Sequence, residues 1–374
     1  MRNTIISTLK GIGIILVVFG HADINPGNNS WLWQRFYEFI YSFHMPLFLI
    51  ASGFFFKKNN VIQITDFFKR KVGGIYVPFI KWSIIYLVLH NIFFLIGIIN
   101  GEYGWSGMGT KMFTLSDIAF AIVNICLRMD SYDGFLLGAY WFMRVLFWGS
   151  ILLCFTSFAI NMIIKNVHYS ICITAIIFFF LLLLNISLRI TIPLVPGNGE
   201  REMFAVSFIG IGYIFGQTNV KEKLSNSYTI VVSLLVLFAC LTTQPSQMGH
   251  LISIKDCVSL LLSGTSGFIL VYNISVFLNK HNSCFQRTLV YIGNNTFYIL
   301  TFHMLMLKPI SYLKTIVYDM DWRKIGCVPV IDEYNNAFWI LAYVVSSVCI
   351  SLLLGRLCEQ TRYLRNGYRP FFLK

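Results

Sequence analysis

The chain alternates between long apolar runs and short polar connections, a pattern typical of a helical bundle in a membrane. Ten runs are long enough to cross about 30 Å of hydrocarbon as helices. They lie near residues 4–22, 36–56, 77–99, 139–162, 168–186, 203–217, 228–243, 257–278, 288–308 and 337–355. The pattern predicts an all-α integral membrane protein, a bundle of about ten transmembrane helices with both termini on one side.

The basic residues between the runs predict the orientation. If the N-terminus is cytoplasmic, the cytoplasmic connections hold 16 of the 29 Lys and Arg residues and the outer connections hold 9. Four more lie within the runs, namely Lys10, Lys81, Arg144 and Lys308. Because cytoplasmic connections carry the excess of Lys and Arg in membrane proteins, both termini are predicted to be cytoplasmic.

Three outer connections are long, at residues 23–35, 100–138 and 309–336. The second contains a mildly amphipathic piece, 111–128, which is predicted to lie on the membrane surface. Connections of this length are more often functional than short ones. They either cap a substrate cleft or only pack on the bundle.

Composition and charge narrow the class. With 56% hydrophobic and 12% charged residues and a mean hydropathy of +0.68, the chain has more apolar surface than a soluble protein of this length buries. The net charge of +13 falls in short blocks between the runs, which fits an anionic lipid surface, so no nucleic-acid partner is expected. We expect a multi-pass protein of a bacterial plasma (inner) membrane.

The nine cysteines favour neither a zinc site nor a disulfide framework, because none form a C-x-x-C pair and most lie within apolar runs. Cys126 and Cys327 fall in outer connections, and a disulfide between these two stays open. No His-x-x-x-His or Glu-x-x-His spacing occurs, so no metal is assigned.

Within the first run, Lys10 and His21 bracket ten apolar residues. Eleven helical steps return to within about 20° of the starting direction and rise about 16 Å, so both side chains share one helix face. Titratable groups in an apolar helix usually face a cavity or a partner. The alternative is that Lys10 reaches the lipid headgroups and His21 marks the helix end.

Three histidines are predicted to lie in the outer half of the membrane: His21, His44 and His303. Histidines in a bundle can share a cavity and act as a general base near neutral pH. The alternative is that His44 and His303 are hydrogen-bonded packing residues.

The second run carries Pro46, which is predicted to kink its helix, and Ser52 with Gly53, which allow close approach of a neighbour or a ligand. The connection that follows carries Lys69, Arg70 and Lys71 beside two glycines. These cations either bind phosphates or only mark the cytoplasmic side.

The fourth run begins with Trp141 and carries Arg144 in its outer third. The guanidinium of Arg144 either binds an anion or a sugar hydroxyl, or pairs with an acid of the outer connection such as Asp133.

Several short motifs, taken in order, resemble the acyltransferase-3 family of membrane proteins, and most closely its fucose 4-O-acetylase-like branch. The resemblance runs from about residue 4 to about residue 355. Each motif is weak by itself, and the order and spacing of the set are specific. The motifs are Lys10 to His21, Phe43-His44-Met45-Pro46-Leu47-Phe48, Ser52-Gly53-Phe54, the basic run closing at Pro78-Phe79, Trp141-Phe142, and Gly293-Asn294-Asn295-Thr296-Phe297-Tyr298 before His303.

This resemblance implies a membrane enzyme, in residues 1–356, that moves an acyl group to a hydroxyl of an extracytoplasmic or lipid-linked glycan. The donor is usually acetyl-CoA, and no cofactor is permanently bound. Residues 357–374 form a basic cytoplasmic tail.

The family's first motif usually has an arginine followed, after ten residues, by a catalytic histidine. These positions are Lys10, for the donor, and His21. Lysine gives up bidentate phosphate binding, and Gly74 replaces a second cation of many members, so we expect Lys69, Arg70 and Lys71 to take over that work. Further candidates for the cavity or the acceptor are His44, Ser52, Trp141, Arg144 and His303.

The expected chemistry has His21 remove the hydroxyl proton while the sugar oxygen attacks the thioester; an acetyl-histidine intermediate is the alternative. The rise of about 16 Å from Lys10 to His21 is comparable to an extended pantetheine arm. Two other functions stay open. One is a glycan transporter or flippase, although no inverted repeat is found. The other is transfer of succinyl or another acyl group.

Overall fold

The computed structural model describes residues 3–23, 31–105, 108–130, 132, 135–193, 195–217, 220, 223–281 and 283–365. Within these ranges the chain is helical and contains no β-strand beyond isolated bridges. The main helices are α1 Thr4–His21, α2 Trp31–Tyr41, α3 His44–Phe54, α4 Lys58–Ile62, α5 Ile64–Lys71, α6 Val77–Leu95, α7 Leu115–Arg128, α8 Trp141–Ile164, α9 Val167–Leu188, α10 Glu200–Phe215, α11 Ser227–Thr243, α12 Ile254–His281, α13 Cys284–Asn294, α14 Thr296–Met306, α15 Lys308–Val317 and α16 Ala337–Arg365. A π-helical turn, Val72–Tyr76, joins α5 to α6, and 3₁₀ turns occupy Gly138–Tyr140, Pro196–Gly199 and Trp322–Gly326.

Six helical stretches in the described part of the chain are long and apolar enough to cross a membrane. The protein is therefore an all-helical integral membrane protein, as the hydrophobic pattern predicts. The number of ten spans and the orientation stay predictions. The six stretches are Thr4–His21, Ile64–Leu95, Gly138–Ile164, Val167–Leu188, Ile254–His281 and Ala337–Gln360.

The second predicted span, 36–56, consists of two helices. α2 ends at Tyr41, and α3 begins at His44 after a break at Ser42 and Phe43, whose backbone leaves the helical region at φ −144°. The predicted kink is observed as this break. Pro46 has no N–H to donate to the carbonyl four residues earlier, that of Ser42, and the Ser263 hydroxyl donates to this carbonyl at 3.1 Å instead.

The piece predicted to lie on the membrane surface, 111–128, packs along α6. At one end Asn91 of α6 exchanges two hydrogen bonds with the backbone of Phe113, at 2.9 and 2.7 Å. At the other end the Tyr76 hydroxyl donates to the carbonyl of Cys126 at 2.7 Å. α7 therefore runs antiparallel to α6. The amphipathic pattern alone does not predict this direction.

A capping box starts α7. The Thr114 hydroxyl accepts from the backbone N–H of Asp117, and the Asp117 carboxylate accepts from the N–H of Thr114. Bonds from the Thr114 backbone, the Lys111 amine and the Thr114 hydroxyl lower the pKa of Asp117 to about 2. The cap is thus ionised at neutral pH, where it also suits the positive end of the helix.

Backbone contact between helices fixes α1 in the bundle. A Cβ on Gly293 of α13 would lie 1.7 Å from the carbonyl oxygen of Ser7, and a Cβ on Gly11 would lie 2.2 Å from that of Leu289. The Ser7 hydroxyl also donates to the Asn294 side chain at 3.0 Å. Only glycine permits this approach. Small residues commonly allow membrane helices to pack this closely.

The two outer cysteines left open as a disulfide, Cys126 and Cys327, are both free thiols. The second and third long connections hold to the bundle through packing and hydrogen bonds. For example, the Asn335 amide donates to the Ala22 carbonyl at the end of α1, at 3.0 Å.

We predict that Gly293→Ala destabilises the protein, because the added methyl group forces α13 away from α1. Overpacking of this kind costs about 1–3 kcal/mol. The check is the thermal unfolding midpoint of the purified protein in detergent. The matched control is Gly73→Ala in the π-helical turn, where a Cβ meets nothing within 4 Å; an unchanged midpoint for Gly293→Ala would contradict the packing argument.

Candidate active site

One face of α1 lines a series of cavities. Lys10, Ile14, Val17 and His21 follow the spacing i, i+4, i+7 and i+11, and each contributes to a cavity wall. The structure thus brings Lys10 and His21 to one face, as the helical repeat predicts.

Three neighbouring cavities extend along this face. The histidine cavity has a volume of about 450 Å³ and contains His21; the middle cavity, about 360 Å³, contains Lys10; the basic cavity, about 560 Å³, contains Arg70 and Lys71. The first two share the lining residues Val17, Met45 and Leu300. The last two share Ser52, Phe55, Gly74 and Ile75. The shared walls make the three cavities one row from a basic end to a histidine end.

His21 lies at the histidine end, and one of its two ring nitrogens forms a hydrogen bond. Its Nδ1 lies 2.9 Å from the Val17 carbonyl, which accepts a hydrogen bond, so the proton of the neutral ring is on Nδ1. The lone pair is then on Nε2. An imidazole held in this tautomer beside a cavity can accept a proton from a hydroxyl group.

The other two predicted histidines lie close by, in different roles. His44 lines the histidine cavity, and its Nδ1 bonds the Ile40 carbonyl at 2.9 Å. His303 is buried behind His21, outside the cavity lining, with ring centroids 5.1 Å apart. Its Nδ1 bonds the Ile299 carbonyl at 2.9 Å, and its Nε2 has no hydrogen-bond partner among the described residues. The predicted convergence of three histidines is therefore observed.

Aromatic residues surround the histidine cavity. The Tyr41 hydroxyl donates to the Gly20 carbonyl at 3.0 Å, and its ring packs edge-on to His44 at 4.7 Å and stacks on Tyr37 at 4.1 Å. Trp141, a predicted site residue, lies on the wall under the guanidinium of Arg201. Rings of this kind offer flat faces for a sugar.

The sequence reasoning missed part of this wall. The Tyr37 and Tyr41 pair, four residues apart on the α2 face that precedes His44, was the available signal. Asp23 joins the wall two residues after His21. Other missed residues join the cavity from distant parts of the chain without a local signal, namely Trp105, Arg201, Gln247 and Pro329.

Arg144 does not line any of the three cavities. It is buried, and its Nε donates to Glu202 at 2.8 Å while Nη1 lies 3.4 Å from Asp130. Asp133, the partner suggested by the sequence, lies outside the described residues. The ion pair joins α8 to α10 and therefore holds the wall of the histidine cavity.

Of the three clustered cations, two line the basic cavity and the third lies outside it. Arg70 and Lys71 line it, and the Arg70 guanidinium donates to the Asn60 amide oxygen at 3.0 Å. Lys69 is exposed and lies outside the lining. Lys57, which the sequence reasoning did not single out, adds a third cation to this wall. Gly74 lines both the basic and the middle cavity and has open space where a side chain would be.

The class of protein follows from this arrangement together with a family comparison. The chain belongs to the acyltransferase-3 family, since the model of that family, described as an acyltransferase domain, matches residues 3–356. The protein is thus a membrane acyltransferase.

A curated relative is the nodulation protein NolL of Sinorhizobium fredii (strain NBRC 101917 / NGR234), which is 27% identical over 247 residues. The match covers 64% of this chain and 55% of the relative, so the chain spans about half the length of the relative that it matches. No solved structure matches the chain.

We predict that Glu202→Met strongly destabilises the protein, because it leaves the buried Arg144 charge with Asp130 alone, a half-exposed partner at 3.4 Å. Removing one member of a buried pair costs about 3–5 kcal/mol. The double variant Arg144→Met with Glu202→Met should unfold at a higher temperature than Glu202→Met alone. As a control, Glu333→Gln breaks the exposed Lys324–Glu333 pair and should change stability by less than about 1 kcal/mol. A double variant no more stable than the single one would refute this role.

Proposed function

We propose that this acyltransferase moves acetyl from cytosolic acetyl-CoA to a hydroxyl of a cell-surface polysaccharide or its lipid-linked precursor. The observation that carries the proposal is the row of three cavities, which leads from Arg70 and Lys71 past Lys10 to His21. A row open at two chemically different ends suits a reaction whose two substrates arrive from opposite sides.

The basic end suits the donor. Lys57, Arg70 and Lys71 supply the cations that the phosphates of coenzyme A need, and the Arg70 guanidinium can fork to one phosphate. From Lys10 to His21 the α1 face rises about 16 Å, comparable to an extended pantetheine arm. A donor held at the basic end therefore reaches the histidine cavity with its thioester.

The histidine end suits the acceptor. In our mechanism the Nε2 lone pair of His21 takes the proton of the sugar hydroxyl as its oxygen attacks the thioester carbonyl. A polar neighbour stabilises the oxyanion. The carbon–sulfur bond then breaks, and the proton passes to the departing thiolate, so the products are the acetyl ester and free coenzyme A. An acetyl-histidine intermediate would use the same nitrogen and stays an alternative.

The membrane arrangement is part of the proposal. Ten spans with both termini in the cytoplasm put the basic cavity and the basic tail, 357–374, on the cytoplasmic side. The surrounding membrane is the bacterial inner membrane, and the branch of the family is the fucose 4-O-acetylase-like one. The positive-inside distribution of Lys and Arg supports this arrangement.

We predict that cells with His21→Ala lose the base-labile acetyl esters that the intact protein adds to their surface glycan. The measurement is mass spectrometry of the glycan, with equal protein in the membrane. The matched control is His281→Ala, at an exposed histidine far along the chain, which should keep the esters.

Three other results would change the proposed function. Esters that persist in His21→Ala remove this histidine from the mechanism. A succinyl or other ester in place of acetyl corrects the donor. An unchanged acetyl content together with altered glycan export favours a transporter.

We also predict that Arg70→Gln and Lys71→Gln each weaken binding of radiolabelled acetyl-CoA to the purified protein by about tenfold, since each removes a charge-assisted phosphate contact. The matched control is Lys69→Gln, an exposed neighbour outside the cavity, which should bind within about twofold of the intact protein. Equal weakening by all three variants would indicate a general effect of surface charge instead of a donor site.

A further inference from the structure

The wall of the histidine cavity contains a cation that the proposed reaction does not use. Among the residues that line this cavity, Arg201 is the one lysine or arginine. It is the second residue of α10 and is half-buried. Its position beside His21, His44 and the aromatic wall places a permanent positive charge in the acceptor compartment.

The guanidinium of Arg201 is held in place by two neighbours that also line the cavity. It lies 4.6 Å from the centre of the Trp141 ring, and its Nη2 donates to the Gly249 carbonyl at 3.1 Å. A guanidinium has five N–H donors. In the described part of the chain, Gly249 is the one hydrogen-bond acceptor of this group, so most of the donors are left for a ligand.

The nearby acids form no direct bond with this group, although Glu200 and Glu202 lie close enough to interact with its charge. Glu202 is occupied by Arg144 at 2.8 Å. Asp23, the acid on the same cavity wall, accepts the indole N–H of Trp33. Among the described residues, no carboxylate forms an ion pair with Arg201. The buried Arg144, in contrast, pairs with Glu202 and Asp130.

We propose that Arg201 binds an anionic group of the acceptor, a carboxylate or a phosphate, and so selects acidic sugars or sugar phosphates over neutral ones. This inference rests on the proposed function, because it takes the acceptor to enter the histidine cavity. A planar guanidinium held against an indole presents its remaining donors as a fork, which matches two oxygens of either anion. The Tyr37, Tyr41 and Trp105 rings supply faces for the sugar itself.

The test measures binding without any acyl donor. The full chain in nanodiscs is titrated with methyl glucuronide, glucose 1-phosphate and methyl glucoside, and affinity is read from the shift of the thermal midpoint. The intact protein should bind at least one of the two anionic sugars about tenfold more tightly than methyl glucoside. A preference for the glucuronide identifies an acidic glycan, and a preference for the phosphate identifies a sugar phosphate of a lipid-linked precursor.

Two variants and a control assign the preference to this residue. Arg201→Gln should bind all three sugars equally, and Arg201→Lys should keep a reduced preference, because it retains the charge without the fork. Arg189→Gln, at an exposed arginine after α9, should keep the full preference. Equal binding of the three sugars by the intact protein, or a full preference in Arg201→Gln, would overturn the inference.

A loss of folding in Arg201→Gln, and a failure of the acyl-transfer proposal, can both be distinguished from a failure of this inference. If Arg201→Gln has a lowered midpoint without ligand, the comparison of the intact protein with Arg201→Lys decides. A full preference in Arg201→Lys then counts against the inference. Since no acetyl-CoA is present, the anion preference can hold while the His21→Ala test fails, and the reverse.

Discussion

The architecture depends on how closely α1 approaches its neighbours. On a helical wheel, Gly11 and Gly13 lie on either side of the face that carries Lys10 and His21. The first contacts the backbone of α13, and the second contacts Leu47 and Phe48 of α3, so neither flank leaves room for a side chain. The face between them is left to line the cavities. The position of a residue along α1 thus sets its position along the row of cavities, and the packing of Gly11 and Gly13 helps to fix where His21 lies.

Features encoded locally were predictable from the sequence. The apolar runs predict helices because a spanning segment must satisfy its own backbone hydrogen bonds. The spacing of Lys10 and His21 predicts a shared face because eleven residues nearly complete three helical turns. His44 and His303 joined His21 because helices that cross the same layer of a bundle can bring their polar residues together. The apolar pattern and the order of the motifs carried this information.

Features that depend on distant contacts were not predictable. Pro46 indicates an interruption one turn earlier, at Ser42 and Phe43, but the pattern of 36–56 does not show that it separates two helices. The amphipathic piece before Arg128 reads as a surface helix, and only the bonds to Asn91 and Tyr76 align it with α6. Arg144 and Arg201 are both arginines near helix starts. Their different surroundings, a buried ion pair and an open cavity wall, come from residues 48 to 60 positions away in the chain.

The wall shared by the histidine and middle cavities has a consequence for the cell. Val17, Met45 and Leu300 are the three side chains common to both, and all three are apolar. A hydrated ion passing between them would have to shed water without gaining a polar partner, which is the basis of hydrophobic gating in channels. In the proposed reaction, a largely uncharged thioester arm would meet no such barrier. Acyl transfer along this row would then leave the proton gradient of the membrane intact.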